Sequence, residues 1–239
     1  MVTHISQRQN QFSYFDELLD HPVWKGSKIL DFGGNVGGFL AGAGDEVDHE
    51  DYWCLDVTKA AIEEGQQNFP RAHFVHFNRY SSYFNPDGVP YLTVPDLGLK
   101  FNFIVAFSVF THTHEREMLA LVKQLRSSLA PEGVLAFTFT DPQYDKSLSN
   151  PELPPRTGIL WQFDSTSESR LRWCVVIDEE TLLEPGDEYC QQKRRGRPGE
   201  SYCSYYTSSY MKSLFPDAKI RPPVARESQH CCILRNASR

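Results

Sequence analysis

Residues 29–40 read Ile29-Leu30-Asp31-Phe32-Gly33-Gly34-Asn35-Val36-Gly37-Gly38-Phe39-Leu40. A short apolar run carrying one acid enters a cluster of glycines, and an apolar, helix-like segment leaves it. A strand that turns through glycine into a helix lets backbone approach a ligand closely and offers N–H groups to it. The dinucleotide fingerprint GxGxxG needs its second glycine beside the pyrophosphate. Counted from Gly33 that position is Asn35, so a NAD reading fails there. A P-loop fails more plainly, because no Gly-Lys-Ser/Thr follows.

Outward from this turn the chain alternates. Ser27 to Phe32 is the first strand, and Tyr52 to Asp56 is a second that again ends in an acid. Thr58 can cap the next helix, with Ala60, Ala61 and Ile62 inside it and Pro70 stopping it. Ala72 to Phe77 alternates as a third strand. Pro86, Gly88, Pro90, Pro95 and Gly98 then predict a loop over residues 78–100. Phe103 to Phe107 is a continuous apolar run, as a buried parallel strand requires. Met118, Leu121, Val122, Leu125 and Leu129 recur at steps of three and four and form one core-facing helical stripe. Pro131-Glu132-Gly133 ends that helix, and Val134 to Phe139 is a further strand. Strands and helices in this rhythm predict βαβ units in an α/β fold, a doubly wound, mostly parallel sheet.

The rhythm breaks at Pro142. Up to about Tyr205 the chain is rich in Pro, Ser, Glu and Arg, and two alternating runs, 158–163 and 170–177, predict a hairpin. Lys193-Arg194-Arg195-Gly196-Arg197 is the one basic run and, among Gly and Pro, reads as a solvated loop. A helix at 207–214 and strands at 218–221 and 229–234 close the chain. The expected organisation is one domain: an N-terminal helical segment or lid (1–26), a cofactor-binding core (27–141), a substrate-side insertion (142–205), and the last helix and strands of the core (206–239).

The glycine turn resembles the first motif of the class I S-adenosylmethionine-dependent methyltransferases, an acid followed by GxGxG. Asp31, Gly33, Asn35 and Gly37 fill that pattern, with Asn35 where the family has its middle glycine. Asparagine is the next most tolerant residue of left-handed backbone. The resemblance implies that these residues and Gly34 shape the methionine side of a cofactor site. It implies that Asp56, 25 residues after Asp31, holds both ribose hydroxyls, since a carboxylate accepts two hydrogen bonds from a vicinal diol. Asn78 matches the polar residue that meets the adenine amino group, and Val57 and Ser108 complete the cofactor set. Plainer readings stand beside these: Asp56 can cap the following helix, and Asn78 can be an ordinary turn residue. Phe103 to His114 and Pro131 to Phe139 look like the family's fourth and fifth strands, although Phe101-Asn102 stands where the family usually has an acid. The likeness covers residues 27–141 well and the end of the chain loosely. It implies seven strands, the last of them antiparallel.

With S-adenosylmethionine as cofactor, the implied reaction is displacement at its sulfonium methyl by an O, N, S or C nucleophile. The protein's part is alignment and exclusion of water, plus a general base where the nucleophile carries a proton. Open α/β sheets bind ligands at the carboxyl ends of their strands. His112, after the fourth strand, is the leading base, and Asp141, after the fifth, can contact substrate or orient His112. Both also suit plain packing and turn roles. His114 is a candidate substrate contact and equally a first-turn residue beside Glu115. Phe15, Trp161 and Trp173, with Phe12, Tyr14 and Phe163, can wall a pocket or simply pack their own elements. His73 and His76 are three apart in a strand and so face opposite sides, and no metal site is expected.

Composition narrows the acceptor. Lys and Arg number 24 against 31 Asp and Glu, a net charge of −7, which speaks against nucleic acid and favours a small molecule. No apolar run reaches the roughly 18 residues of a membrane span. The N-terminal stretch lacks a signal-peptide layout, and six cysteines without CxxC spacing suit a cytoplasmic protein. The expected function is a small-molecule methyltransferase. The alternatives are a cyclase using the same cofactor and a catalytically silent binding subunit.

Overall fold

The computed structural model describes residues 10–81, 84–113, 115–141, 159–163, 171–176, 183–185, 190–194, 201–224 and 227–236; for the strands between 159 and 203 this covers the backbone. α1 (Asn10–Leu18) leads to β1 (Ile29–Phe32), and the glycine turn passes into α2 (Gly38–Ala43). β2 (Tyr52–Asp56), α3 (Lys59–Asn68) and β3 (His73–His76) follow. After the long loop come β4 (Phe101–Ala106), α4 (Glu115–Ser127) and β5 (Leu129–Phe139). β6 (Ile159–Phe163) pairs antiparallel with β7 (Leu171–Val176), the predicted hairpin. β8 (Leu183–Pro185), β9 (Cys190–Arg194) and β10 (Ser201–Tyr205) form a second small antiparallel sheet. α5 (Ser208–Leu214), β11 (Lys219–Arg221) and β12 (His230–Arg235) end the chain.

The main sheet has seven strands in the order β11-β12-β5-β4-β1-β2-β3. β1 to β5 pair in parallel, and β12 is antiparallel to both β5 and β11. This is the Rossmann-like methyltransferase architecture expected from the sequence. Strand alternation divides the core between the two faces. Leu30 and Phe32 join the stripe of α4 (Met118, Leu121, Val122, Leu125) and Tyr210 and Met211 of α5. Ile29 points the other way, into Phe39 and Leu40 of α2, Ile62 of α3 and the rings of α1. With both faces covered, β1 is buried along its whole length, which suits its apolar residues and leaves Asp31 as its one buried acid.

Two readings are corrected here. Lys193 and Arg194 belong to β9 and pair with Tyr202 and Ser201, so this part of the basic run is ladder rather than loop. Strand β5 begins at Leu129, ahead of Pro131-Glu132-Gly133, because Leu129 already pairs with Phe101. The next pair is Phe103 with Val134, so residues 130–133 of β5 lie opposite Asn102 alone, and Glu132 takes a left-handed φ of 60° there. A proline lacks a ladder donor, and such an irregularity accommodates it.

Candidate functional site

Strand order reverses between β1 and β4: the chain runs from β1 outward through β2 and β3, then returns to place β4 on the other flank. Carboxyl ends at such a reversal form a crevice, the place where open α/β sheets hold ligands. The glycine turn lies on one side of it and the turn after β4 on the other.

Backbone conformation in the glycine turn follows the residue types. Gly33 has φ 78°, Asn35 φ 54° and Gly37 φ 85°, so the asparagine adopts the left-handed state for which it is suited. Gly37 is also the residue that opens α2. Gly34 is required by contact instead. A Cβ there would lie 2.4 Å from Asp31 Oδ2 and 2.8 Å from Cys54 Sγ.

Two buried carboxylates organise this region. Asp31 Oδ2 accepts a 2.6 Å hydrogen bond from the Tyr52 hydroxyl, with both residues buried. Burial first, and then the Asp31 charge, hold the Tyr52 phenol well above its ordinary pKa, so it stays a donor. Burial, followed by Asp31 and Asp56, likewise pushes the Cys54 thiol well up. Tyr52→Phe leaves Asp31 short of this donor in the core and is expected to destabilise the fold by about 2 kcal/mol, read as a lower Tm. An unchanged Tm would refute this role.

Asp56, at the end of β2, holds two backbone groups. Its Oδ2 accepts from Asn35 N at 2.9 Å and its Oδ1 from Thr58 N at 2.7 Å. Thr58 is the N-cap residue of α3, but its side chain makes no capping bond, and the carboxylate two residues earlier serves that end of the helix. The cap reading of Asp56 is therefore observed, and the same carboxylate reaches across to the glycine turn. Val57, next to it, is half-buried, and its carbonyl faces His76 Nε2 at 3.2 Å. No Lys or Arg occurs between residues 29 and 58, while Asp31 and Asp56 both do. On this side the crevice therefore carries acids and no Lys or Arg, which suits a ligand with positive charge.

The other predicted residues separate into groups. Asn78 is exposed beyond β3 and accepts from Asn85 Nδ2 at 3.0 Å. Ser108, two residues past the end of β4, is bonded to Thr138, Thr111 and Gln229. His112 closes a single tight helical turn (Phe110–His112), half-buried, with its ring edge-on to Phe84 at 5.5 Å. Phe84 comes from the long loop, which the buried Arg79 ties to α4 through 2.9 Å bonds to Glu117 Oε1 and a bond to the Leu92 carbonyl. Asp141 is buried at the end of β5, where its Oδ2 accepts from the N–H and the hydroxyl of Ser208 and so anchors the start of α5. His230 lies on the neighbouring strand; burial lowers its pKa, and the Asp141 charge works against that.

Phe15 is a correction. It has no exposed surface and packs edge-on to Phe107 and at a tilt to Phe39, so it belongs to the core rather than a pocket wall. Phe12 and Tyr14 are buried beside it. Trp161 and Trp173 sit on adjacent strands, paired with Cys174 and Gln162 respectively, and their side chains lie outside the described residues. His114 also lies outside them. Among the described residues no His, Cys, Asp and Glu group has the makings of a metal site.

Sequence reading missed Tyr52, Thr138 and Gln229. Tyr52 reads in the sequence only as a strand residue, but its tie to Asp31 crosses between strands. Thr138 and Gln229 meet Ser108 only through the sheet, 30 and 121 residues away along the chain, and no local pattern marks them.

The family described as a methyltransferase domain matches residues 30–135, from β1 into β5. Over that stretch the chain is similar to the methyltransferase domain family. No curated protein matches the chain. Among solved structures, the chain is similar to a protein of Pyrococcus horikoshii OT3, at 14% identity and TM-score 0.58 over 99% of this chain and 95% of that one. It is also similar to an S-adenosylmethionine-dependent methyltransferase from Mesorhizobium loti, at 13% identity and TM-score 0.56 over 98% and 100%. The glycopeptide N-methyltransferase MtfA, solved with S-adenosyl-L-methionine, matches at 11% identity and TM-score 0.55 over 95% and 92%. At these identities the likeness concerns the fold, and it extends over nearly the whole length of each chain.

Proposed function

We propose that this methyltransferase domain binds S-adenosylmethionine in the crevice between β1 and β4 and transfers its methyl group to an O, N, S or C nucleophile of a small molecule. The observation that carries this reading is the left-handed turn Gly33-Gly34-Asn35-Val36-Gly37 set between two buried carboxylates, Asp31 and Asp56, with no cation in residues 29–58. The cofactor's sulfonium and ammonium outweigh its carboxylate, and it suits an acid-lined site. Bound there, it supplies an electrophilic methyl on a positively charged sulfur.

In this reading Asp31, Gly33, Gly34, Asn35 and Gly37 shape the methionine end. Asp56 is the carboxylate that meets the ribose diol, Val57 flanks it, and Asn78 meets the adenine edge. Ser108 borders the methyl. His112 is the candidate base for a protonated nucleophile, aligned by Phe84. Asp141 holds the start of α5 on the substrate side of the sheet. His114, Trp161 and Trp173 are the candidate acceptor contacts, and a small acceptor accords with the acidic net charge of −7. Three buried free thiols, Cys54, Cys231 and Cys232, suit a cytoplasmic setting. Among the described residues no helix is long and apolar enough to cross a membrane.

Calorimetry with S-adenosylmethionine and with its demethylated product tests the cofactor, and heat from neither would sink the proposal. Metabolite extracts incubated with methyl-labelled cofactor test the transfer. A labelled small molecule is the expected product. Binding without any labelled product would leave a silent binding subunit.

A further inference from the structure

The turn after β4 holds a backbone conformation that its own residue disfavours. Ser108 has φ 57°, in the left-handed region that non-glycine residues avoid unless their surroundings enforce it. Here the surroundings come from distant parts of the chain. Thr138 Oγ1, buried on β5, accepts the Ser108 N–H at 2.6 Å. Gln229, just before β12, donates from Nε2 to Ser108 Oγ at 3.1 Å and accepts from the Thr138 hydroxyl through Oε1 at 2.6 Å. Thr111 donates to the Ser108 carbonyl at 3.0 Å. The Gln229 carbonyl in turn accepts from the Tyr14 hydroxyl of α1 at 2.7 Å. Gln229 is thus fixed by both its amide and its backbone.

The enforced turn has a mechanical consequence across the strand reversal. Val109, the next residue, presses on the glycine turn so closely that a Cβ on Gly33 would lie 2.4 Å from Val109 Cγ2. From Gly33 the turn runs to Asn35, whose N–H is held by Asp56. A continuous chain of contacts therefore joins Gln229 to the carboxylate assigned to the ribose: Gln229 and Thr138, Ser108, Val109, Gly33, Asn35, Asp56. We propose that Gln229 is a positioning residue for cofactor binding, which acts by holding Ser108 left-handed and so seats Val109 against Gly33. This rests on the cofactor reading above. Preorganising the turn removes an ordering cost from binding.

Titration with the demethylated cofactor tests it, using wild type, Gln229→Met, Ser108→Gly and their combination. Gln229→Met is expected to weaken binding about tenfold in wild type and less than about twofold in Ser108→Gly, because glycine takes φ 57° without a clamp. Ser108→Ala, which loses the hydroxyl but keeps the strain, is expected to bind more weakly than Ser108→Gly. Equal losses from Gln229→Met in both backgrounds, no loss at all, or an alanine variant that binds as well as the glycine one would each overturn the role. If Gln229→Met does not fold, Thr138→Val removes the acceptor of the Ser108 N–H and takes its place in the cycle. A wild type that binds neither form of the cofactor fails at the first titration and overturns the cofactor reading together with this role. A wild type that binds but shows no coupling overturns the role alone.

Discussion

Gly34→Ala is expected to lower the Tm by about 6–12 °C, from a destabilisation of about 3 kcal/mol in a chain of this size. The new methyl would meet Asp31 Oδ2 at 2.4 Å, Asp31 Cγ at 2.5 Å and Cys54 Sγ at 2.8 Å. A clash with the free end of a flexible side chain is cheap to relieve, but this one is not. The oxygen it meets is the one held by Tyr52 at 2.6 Å, and Asp31 and Cys54 face each other on paired strands at the centre of the sheet. Moving Asp31 breaks a buried hydrogen bond, and moving the turn drags Asn35 away from Asp56. Gly98→Ala is the control: φ 71° strains any alanine, yet nothing lies within 4 Å of the new carbon. It should cost only about 1 kcal/mol of backbone strain. Thermal melts of the two variants separate contact from conformation. Equal shifts would show that Gly34 is not required by its neighbours.

The contrast between these glycines bears on how far the sequence could be read. The turn from β1 into α2, the acid ending β2, and the α4 stripe follow from local rules of periodicity and backbone tolerance, and the structure agrees with them. Asn35 at φ 54° is one such case. Strands β8 to β10 were not legible, because Cys190-Gln-Gln-Lys-Arg194 has no apolar alternation and is defined by its pairing on both sides. Sequence leaves the rings of Phe12, Tyr14 and Phe15 open between pocket wall and packing, and does not show their destination against Phe39 and Phe107. A ring's residue type says that it is buried, not against what. The clamp on Ser108 was invisible for a further reason. Its parts are ordinary polar residues, and only the sheet brings Gln229 within 3.1 Å of a serine 121 positions earlier.

Asp56→Ala is expected to weaken binding of the demethylated cofactor about 100-fold, because in the proposed site the ribose diol would lose two charge-assisted hydrogen bonds. The same substitution should also lower stability by about 2 kcal/mol, since Asn35 N and Thr58 N lose their acceptor. Loss of affinity alone would therefore not distinguish a ribose contact from a disordered turn. A cofactor analogue lacking the ribose 2′-hydroxyl makes the distinction. If Asp56 holds the diol, wild type should discriminate against the analogue by about tenfold, and the alanine variant should lose that discrimination because the partner of the missing hydroxyl is gone. If Asp56 only braces Asn35 and Thr58, both ligands weaken in parallel and the discrimination survives. Asp56→Asn gives the intermediate case. Its single carbonyl oxygen can accept from Asn35 N or Thr58 N but not hold both as the carboxylate does, so one of those N–H groups would face an amide donor. It should destabilise nearly as much as alanine while keeping part of the discrimination. Measuring affinity for both ligands and Tm for all three proteins assigns bracing and binding separately to the one carboxylate.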